Sequence, residues 1–182
     1  MHGVIFQLLQ QFIEKKLGQG AWAGVAQSAG LQFKVYLATS PYPDEEARAL
    51  LDALAQKTTE DFNAIVEAFG RFVVPNFISS YAHRLDPSWR TLEVIEEADK
   101  IIKELVTAES FVGTTLPKLK CRRKSSNLLI VNYEEPKELC AFVAGLIKGL
   151  GEHFDETITV NEVTCQISTG GSCQFLVRRA RI

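Results

Sequence analysis

The run from Pro136 to Ile182 restricts the fold more than any other part of the chain. It begins PKELCAFVAGLIKGLGEHF, in which Leu139, Val143, Leu146, Ile147 and Leu150 fall on one stripe of a helix. It continues DETITVNEVTCQISTGGSCQFLVRRARI, where alternation and β-branched residues predict two strands joined across Thr169, Gly170, Gly171 and Ser172. Cys140 lies on the helix, Cys165 ends the first strand and Cys173 opens the second, with Glu162 three positions before Cys165. A helix packed on a hairpin can bring these four groups to one point, and three thiolates with one carboxylate complete a tetrahedral zinc shell. Two other readings stand beside it: three small buried hydrophobes, or a Cys165–Cys173 disulfide across the hairpin. In a flat strand, residues three apart face opposite sides, so Glu162 and Cys165 converge only through a bulge. Failing that, water or another acid would be the fourth ligand.

At 182 residues the chain is long enough for one domain with a substantial core. We read it as a single domain over 1–182, with a helical part at 1–110 and a sheet part at 111–182. The net charge of -2 argues against nucleic acid as a partner, since such domains carry a basic excess. No apolar run reaches the length of a transmembrane segment. The opening MHGVIFQLLQQFIEKKLG has no charged leader region and reads as a core helix, not a signal peptide. The expected location is therefore cytoplasmic and reducing, which favours thiols or metal ligands over disulfides.

The first half is helical in pattern. A helix over about 2–17 buries Ile5, Phe6, Leu9, Phe12 and Ile13 and stops at Gly18 and Gly20. A short helix through Trp22 and Val25 ends at Gly30, and another opens at Pro43 with acids in its first turn. Thr58 or Thr59 is expected to cap EDFNAIVEAFGRFVV, with Pro75 kinking or interrupting that helix. The last helix of this half starts near Pro87 and runs through WRTLEVIEEADKIIKELV. Extended patterns follow at Leu116 to Arg123 and Asn127 to Tyr133, around a Lys124-Ser125-Ser126 turn. Helices first and strands after predict an α+β fold with a mainly antiparallel sheet of four strands.

Several tracts carry a family resemblance. MHGVIF at 1–6, AGL at 29–31, YPDEE at 42–46, FGRFVV at 69–74, LPKLKC at 116–121 and FVAGLIKGLGEHF at 142–154 occur in order. Together they resemble the heme nitric oxide/oxygen-binding (H-NOX) domain nearly end to end. That resemblance implies an N-terminal helical subdomain packed on a C-terminal four-stranded antiparallel sheet. It also implies that Ile5, Leu9, Phe77 and Pro117 occupy positions lining a cavity between the two parts, where an apolar guest is accepted. The alternative is that these residues simply pack on one another.

The departures from the family bear on function. H-NOX domains hold heme iron with a histidine on the helix before the strands, where this chain reads EEADKIIKELV. Its histidines are His2, His83 and His153. The Tyr-x-Ser-x-Arg motif that grips heme propionates corresponds to Tyr133-Glu134-Glu135-Pro136-Lys137, keeping only Tyr133. A glutamate there repels carboxylates, and lysine lacks arginine's fork. Each change argues against heme bound in the usual way.

A second resemblance covers the C-terminal third. Cys140, then Glu162-x-x-Cys165, then Cys173 looks like the zinc pattern of the 4-vinyl-reductase domain of bacterial aromatic-sensing activators. All four positions match. Cys121 is left over, among Lys118, Lys120, Arg122 and Arg123. It reads either as a thiol activated by that positive field or as an ordinary strand residue. Arg178, Arg179 and Arg181 read as an exposed edge.

No catalytic set, nucleophile elbow, P-loop or dinucleotide fingerprint is present, so the chain is not expected to be an enzyme. The expectation is a heme-free H-NOX-like sensor with structural zinc that binds a small hydrophobic ligand, a fatty acid or aromatic compound, and signals to a partner protein. Its rivals are a heme-based gas sensor using Cys121 or a relocated histidine as iron ligand, and a protein-binding scaffold with a filled core.

Overall fold

α1 (Gly3–Leu17) forms because Phe6, Leu9 and Ile13 recur at helical spacing and are all buried, with Leu8 and Phe12 beside them. Gly18, at φ 99°, closes it by giving its N–H to the Glu14 carbonyl at 2.9 Å. α2 (Ala21–Ser28) and α3 (Asp44–Thr58) follow, and Asp44, Glu45 and Glu46 lie in the first turn of α3, where the helix dipole favours acids. The computed structural model describes residues 1–107, 117–134, 139–169 and 171–180.

α4 (Phe62–Tyr81) departs from the sequence expectation at both ends. Its cap is neither Thr58 nor Thr59 but Asp61, whose carboxylate accepts the Ala64 N–H at 3.1 Å. The two threonines finish α3 instead: the Thr58 hydroxyl bonds the Leu54 carbonyl at 3.0 Å, and Thr59 takes the left-handed conformation at φ 57°. Asp61 wins because a carboxylate three residues before an orphan N–H makes the stronger cap. Nor does Pro75 interrupt the helix, which runs on to Tyr81 and a 3-10 turn at Ala82–Arg84.

The proline is tolerated at a helix contact. Pro75 cannot bond the Arg71 carbonyl, and α6 (Cys140–His153) lies against that same place. A Cβ on Gly149 of α6 would stand 2.9 Å from the Arg71 Cα and 3.1 Å from its oxygen. Further along, a Cβ on Gly145 would come to 2.1 Å of the Glu67 carbonyl, and one on Gly70 to 2.4 Å of the Phe142 carbonyl. The two helices therefore meet backbone to backbone. Glu67 fixes their register by accepting from Arg71 at 2.9 Å and from Lys148 at 2.7 Å.

α5 (Thr91–Thr107) starts where its Thr91 N–H meets the Glu156 carboxylate at 3.0 Å. The sheet is β1 (Lys118–Ser125), β2 (Leu128–Glu134), β3 (Ile158–Thr164) and β4 (Cys173–Arg179), antiparallel throughout in the order β1-β2-β4-β3. The fold is thus α+β, as expected. β1 runs two residues beyond the predicted Arg123, because a register shift between Arg123 and Ser125 absorbs Lys124 and moves the turn to Ser126 and Asn127. Leu116, placed in that strand from sequence, lies outside the described residues. β3 and β4 are joined not by a tight turn but through α7 (Gln166–Thr169), so Cys165 follows the strand and does not end it.

Two clusters make the core. One gathers Phe6, Leu9, Ile13, Val25, Leu50, Leu54, Ile65 and Phe69 from the first four helices. The other joins Leu92 and Ile95 of α5 and Val143 and Ile147 of α6 to Leu119, Leu129, Val131, Phe175 and Val177 on one face of the sheet. α6 serves both, since its Phe142 and Leu146 pack on the helical cluster. No helix among the described residues is long and apolar enough to cross a membrane.

Candidate metal centre and the apolar faces beside it

Four ligand atoms converge where β3, α6 and β4 meet. Cys140 is the first residue of α6 and Cys173 the first of β4, and both are buried. Cys165 is half-buried between β3 and α7, and Glu162 lies exposed on β3. Their sulfur and carboxylate atoms all lie within 4.8 Å of one another. The Cys165 and Cys140 sulfurs are 3.9 Å apart. A tetrahedral site with Zn–S bonds of about 2.3 Å requires sulfurs about 3.8 Å apart, so shifts well under an ångström would complete a shell.

The bulge that the alternation rule demands is present. Glu162 pairs with Phe175 and Thr164 with Gln174, so Val163 is the extra residue and projects into solvent at 53% exposure. Without it Glu162 and Cys165 would sit on opposite faces. The sequence did not reveal one further group: the Gln166 N–H donates to the Cys173 sulfur at 3.3 Å. Such a bond orients a sulfur ligand. Its only trace in the sequence is Gln166's place directly after a cysteine.

Electrostatics set the state of the thiols. None of the four cysteines is in a disulfide. Burial, reinforced by the neighbouring Cys173 and Cys165, pushes the Cys140 thiol far above its usual range. Burial likewise pushes Cys173 up. Both shifts favour the protonated thiol at Cys140 and Cys173, and a metal bound there would displace those protons. Cys121 lies apart from it and gives its S–H to the Ile95 carbonyl at 3.4 Å.

The four positions expected to line the cavity, and the retained Tyr133, fall on both the helical and the sheet side. Leu9 is fully buried in the helical cluster, with Ile5 and Phe77 packed against it. Tyr133 is buried on the sheet side, and Pro117 is half-buried just before β1. Tyr133 pairs directly with Cys173 across β2 and β4, which puts the retained tyrosine one strand spacing from a candidate metal ligand. Glu135, Pro136 and Lys137 of the altered motif lie outside the described residues, as does Arg181. Arg178 is exposed as expected, but Arg179 is drawn into an ion pair with Glu156 at 3.0 Å.

The histidines are scattered. His2 is buried in a one-residue bridge to Pro41, His83 is exposed in the 3-10 turn, and His153 ends α6 edge-on to Phe154. None is on α5.

The sequence model of the Haem-NO-binding family matches residues 2–162. Among solved structures, an H-NOX protein from S. oneidensis in the Fe(II)NO ligation state superposes with a TM-score of 0.90 at 21% identity, with both chains covered in full. The I5F mutant of T. Tengcongensis H-NOX gives 0.88 at 19% identity, over 100% of this chain and 98% of that one. An oxygen-binding H-NOX domain related to soluble guanylate cyclases, in its oxygen complex, gives 0.83 at 20% identity, over 100% of this chain and 96% of that one. No curated protein matches the chain.

Proposed function

Because the chain belongs to the Haem-NO-binding family, we propose that it is a heme-free sensor domain of that family, pinned by structural zinc. It takes a small hydrophobic ligand, a fatty acid or aromatic compound, and passes the signal to a partner protein. The observation that carries the reading is the convergence of Cys140, Glu162, Cys165 and Cys173 within 4.8 Å, on a scaffold with no histidine between residues 84 and 152.

The residues present do not fit heme held in the family's usual way. No imidazole comes from α5, whose sequence has no histidine and whose described residues on the sheet cluster are Leu92, Ile95 and Ala98. Tyr133 has lost the serine and arginine that would follow it in the motif. Zinc fits instead: three thiols and a carboxylate supply four ligands, and a closed shell of this kind is structural. The reading assigns the chain no catalysis, and its thiol chemistry suits a reducing, cytoplasmic compartment.

The protein's own residues then account for a sensor. Ile5, Leu9 and Phe77 on the helical side and Tyr133 and Pro117 on the sheet side bound the ligand. α6 joins the parts, with Cys140 at its start and apolar residues in both clusters. Metal analysis and intact-mass measurement on untreated protein test this together. About one zinc per chain and a co-purifying apolar compound are expected; protein repeatedly free of both would overturn the reading.

The Fe(II)NO and oxygen complexes of the relatives favour a second reading, gas sensing through heme with a non-standard iron ligand. An absorbance spectrum separates the two. A Soret band after heme addition supports the second reading, and a spectrum of free heme supports the first.

A further inference from the structure

The sheet face turned away from α5 and α6 has a chemistry of its own. One row runs Arg122, Ile130, Leu176 and Asn161 across the four strands. Leu128, Arg178 and Thr159 lie across from one another in a neighbouring row, and Lys120, Asn132 and Gln174 in the row on the other side. These positions alternate with the inward Leu119, Leu129, Val131, Phe175 and Val177. Leu128, Ile130 and Leu176 are half-buried, whereas Lys118, Lys120, Arg122 and Arg178 are exposed. Among the described residues this face has one acid, Glu134, and Lys118 holds it at 2.9 Å.

We propose that this face docks an acidic, apolar-bearing segment of a partner protein. Its carboxylates meet Arg122 and Arg178, and an apolar side chain seats on Leu128, Ile130 and Leu176 between them. A basic face on a molecule of net charge -2 attracts such a partner in one orientation only. The plainer account of edge cations is that they keep an edge strand from pairing with another chain. That account covers Lys118, Lys120 and Arg122 on β1, which is an edge. It does not cover Arg178, because β4 lies between β2 and β3.

The face also speaks against other polyanions. None of the residues in its rows is aromatic, so nothing there stacks bases, and the chain as a whole would repel a nucleic acid backbone. Its apolar residues lie low between cations and do not project as a bilayer anchor would. The inference rests on the sensor reading only in giving its partner a chemistry; neither zinc nor an apolar guest enters it.

The test titrates a fluorescent peptide of alternating Glu and Leu into the full chain as purified, at low salt. A Lys-Leu peptide, a short DNA duplex and phosphatidylserine vesicles serve as comparisons. The Glu-Leu peptide should bind in a salt-sensitive way and shift amide resonances at 118–122, 128–132 and 174–178. Arg122→Glu with Arg178→Glu should weaken it by about tenfold or more, while Lys57→Glu on α3 leaves it unchanged. Should the double reversal fail to fold, Arg122→Gln with Arg178→Gln takes its place, with the resonance map of the unaltered chain beside it. Equal binding by the variants, shifts on another surface, or tighter binding of DNA or vesicles would overturn the proposal. Zinc content and bound apolar mass, measured on the same preparation, report separately on the sensor reading.

Discussion

Glu162 is where sequence spacing and strand geometry collide, and Val163 resolves the conflict. A residue with a high preference for strands is pushed out of the ladder at 53% exposure so that two candidate ligands share a side. The zinc pattern could be read from four residue types and their intervals. The bulge could be stated only as a requirement, because alternation shows where a strand must break but not which residue it ejects. α7 was missed for a related reason: a four-residue helix has too few turns to leave a period. Two of the thiols, Cys165 between β3 and α7 and Cys121 within β1, make opposite predictions. Cys165→Ser should remove zinc and lower the melting temperature, since it deletes a ligand from a closed shell. Cys121→Ser, whose partner is a backbone carbonyl, should leave the zinc content unchanged. Metal analysis and thermal unfolding of both variants check this, and equal zinc loss in the two would exclude the cluster as the site.

Among the elements, α4 and α6 carry the most demanding contact. The glycines of FGRFVV and FVAGLIKGLGEHF were visible in the sequence, but only as parts of a family resemblance. Their physical reason appears once the helices are packed: at Gly70, Gly145 and Gly149 the neighbouring backbone stands where a methyl group would be. The same closeness explains why Pro75 does not interrupt the helix. A proline breaks an exposed helix by wasting a carbonyl, yet here that carbonyl faces the partner helix and tertiary packing holds the line. Gly145→Ala should therefore cost about 2–3 kcal/mol, because its methyl must displace backbone and not a pliant side chain. Denaturant unfolding measures it. A cost near zero would mean that the helices can draw apart without loss.

For the whole molecule, the elements are tied by carboxylates that reach across them. Glu67 bridges within α4 and over to α6, Glu93 joins α5 to β1 through Arg123, and Glu156 joins the approach to β3 with α5 and β4. Burial works to raise each of these groups, but hydrogen bonds from Lys148 and Arg71, from Arg123, and from Thr91 and Arg179 outweigh it and hold them below the ordinary value of 4.5. A carboxylate with a depressed pKa stabilises the fold above its unfolded value and loses that contribution as pH falls through its folded one. The melting temperature should stay level from neutral pH down to about 4.5 and fall below it, more gently in Glu67→Gln. A calorimetric series in pH checks the sign; a fall that began near neutrality would point to other groups. The ties between elements were not legible in the chain, since their partners stand 23 to 81 positions apart.

The glycine seam has a mechanical consequence. Where Gly70, Gly145 and Gly149 bring the backbones of α4 and α6 together, there is no cushion to compress or slide on, and the two helices turn as one rigid spar. Whatever rearrangement a guest or a partner brings about must be absorbed elsewhere. The stretch from Leu85 to Arg90, which joins the 3-10 turn to α5, is one described connection outside that spar.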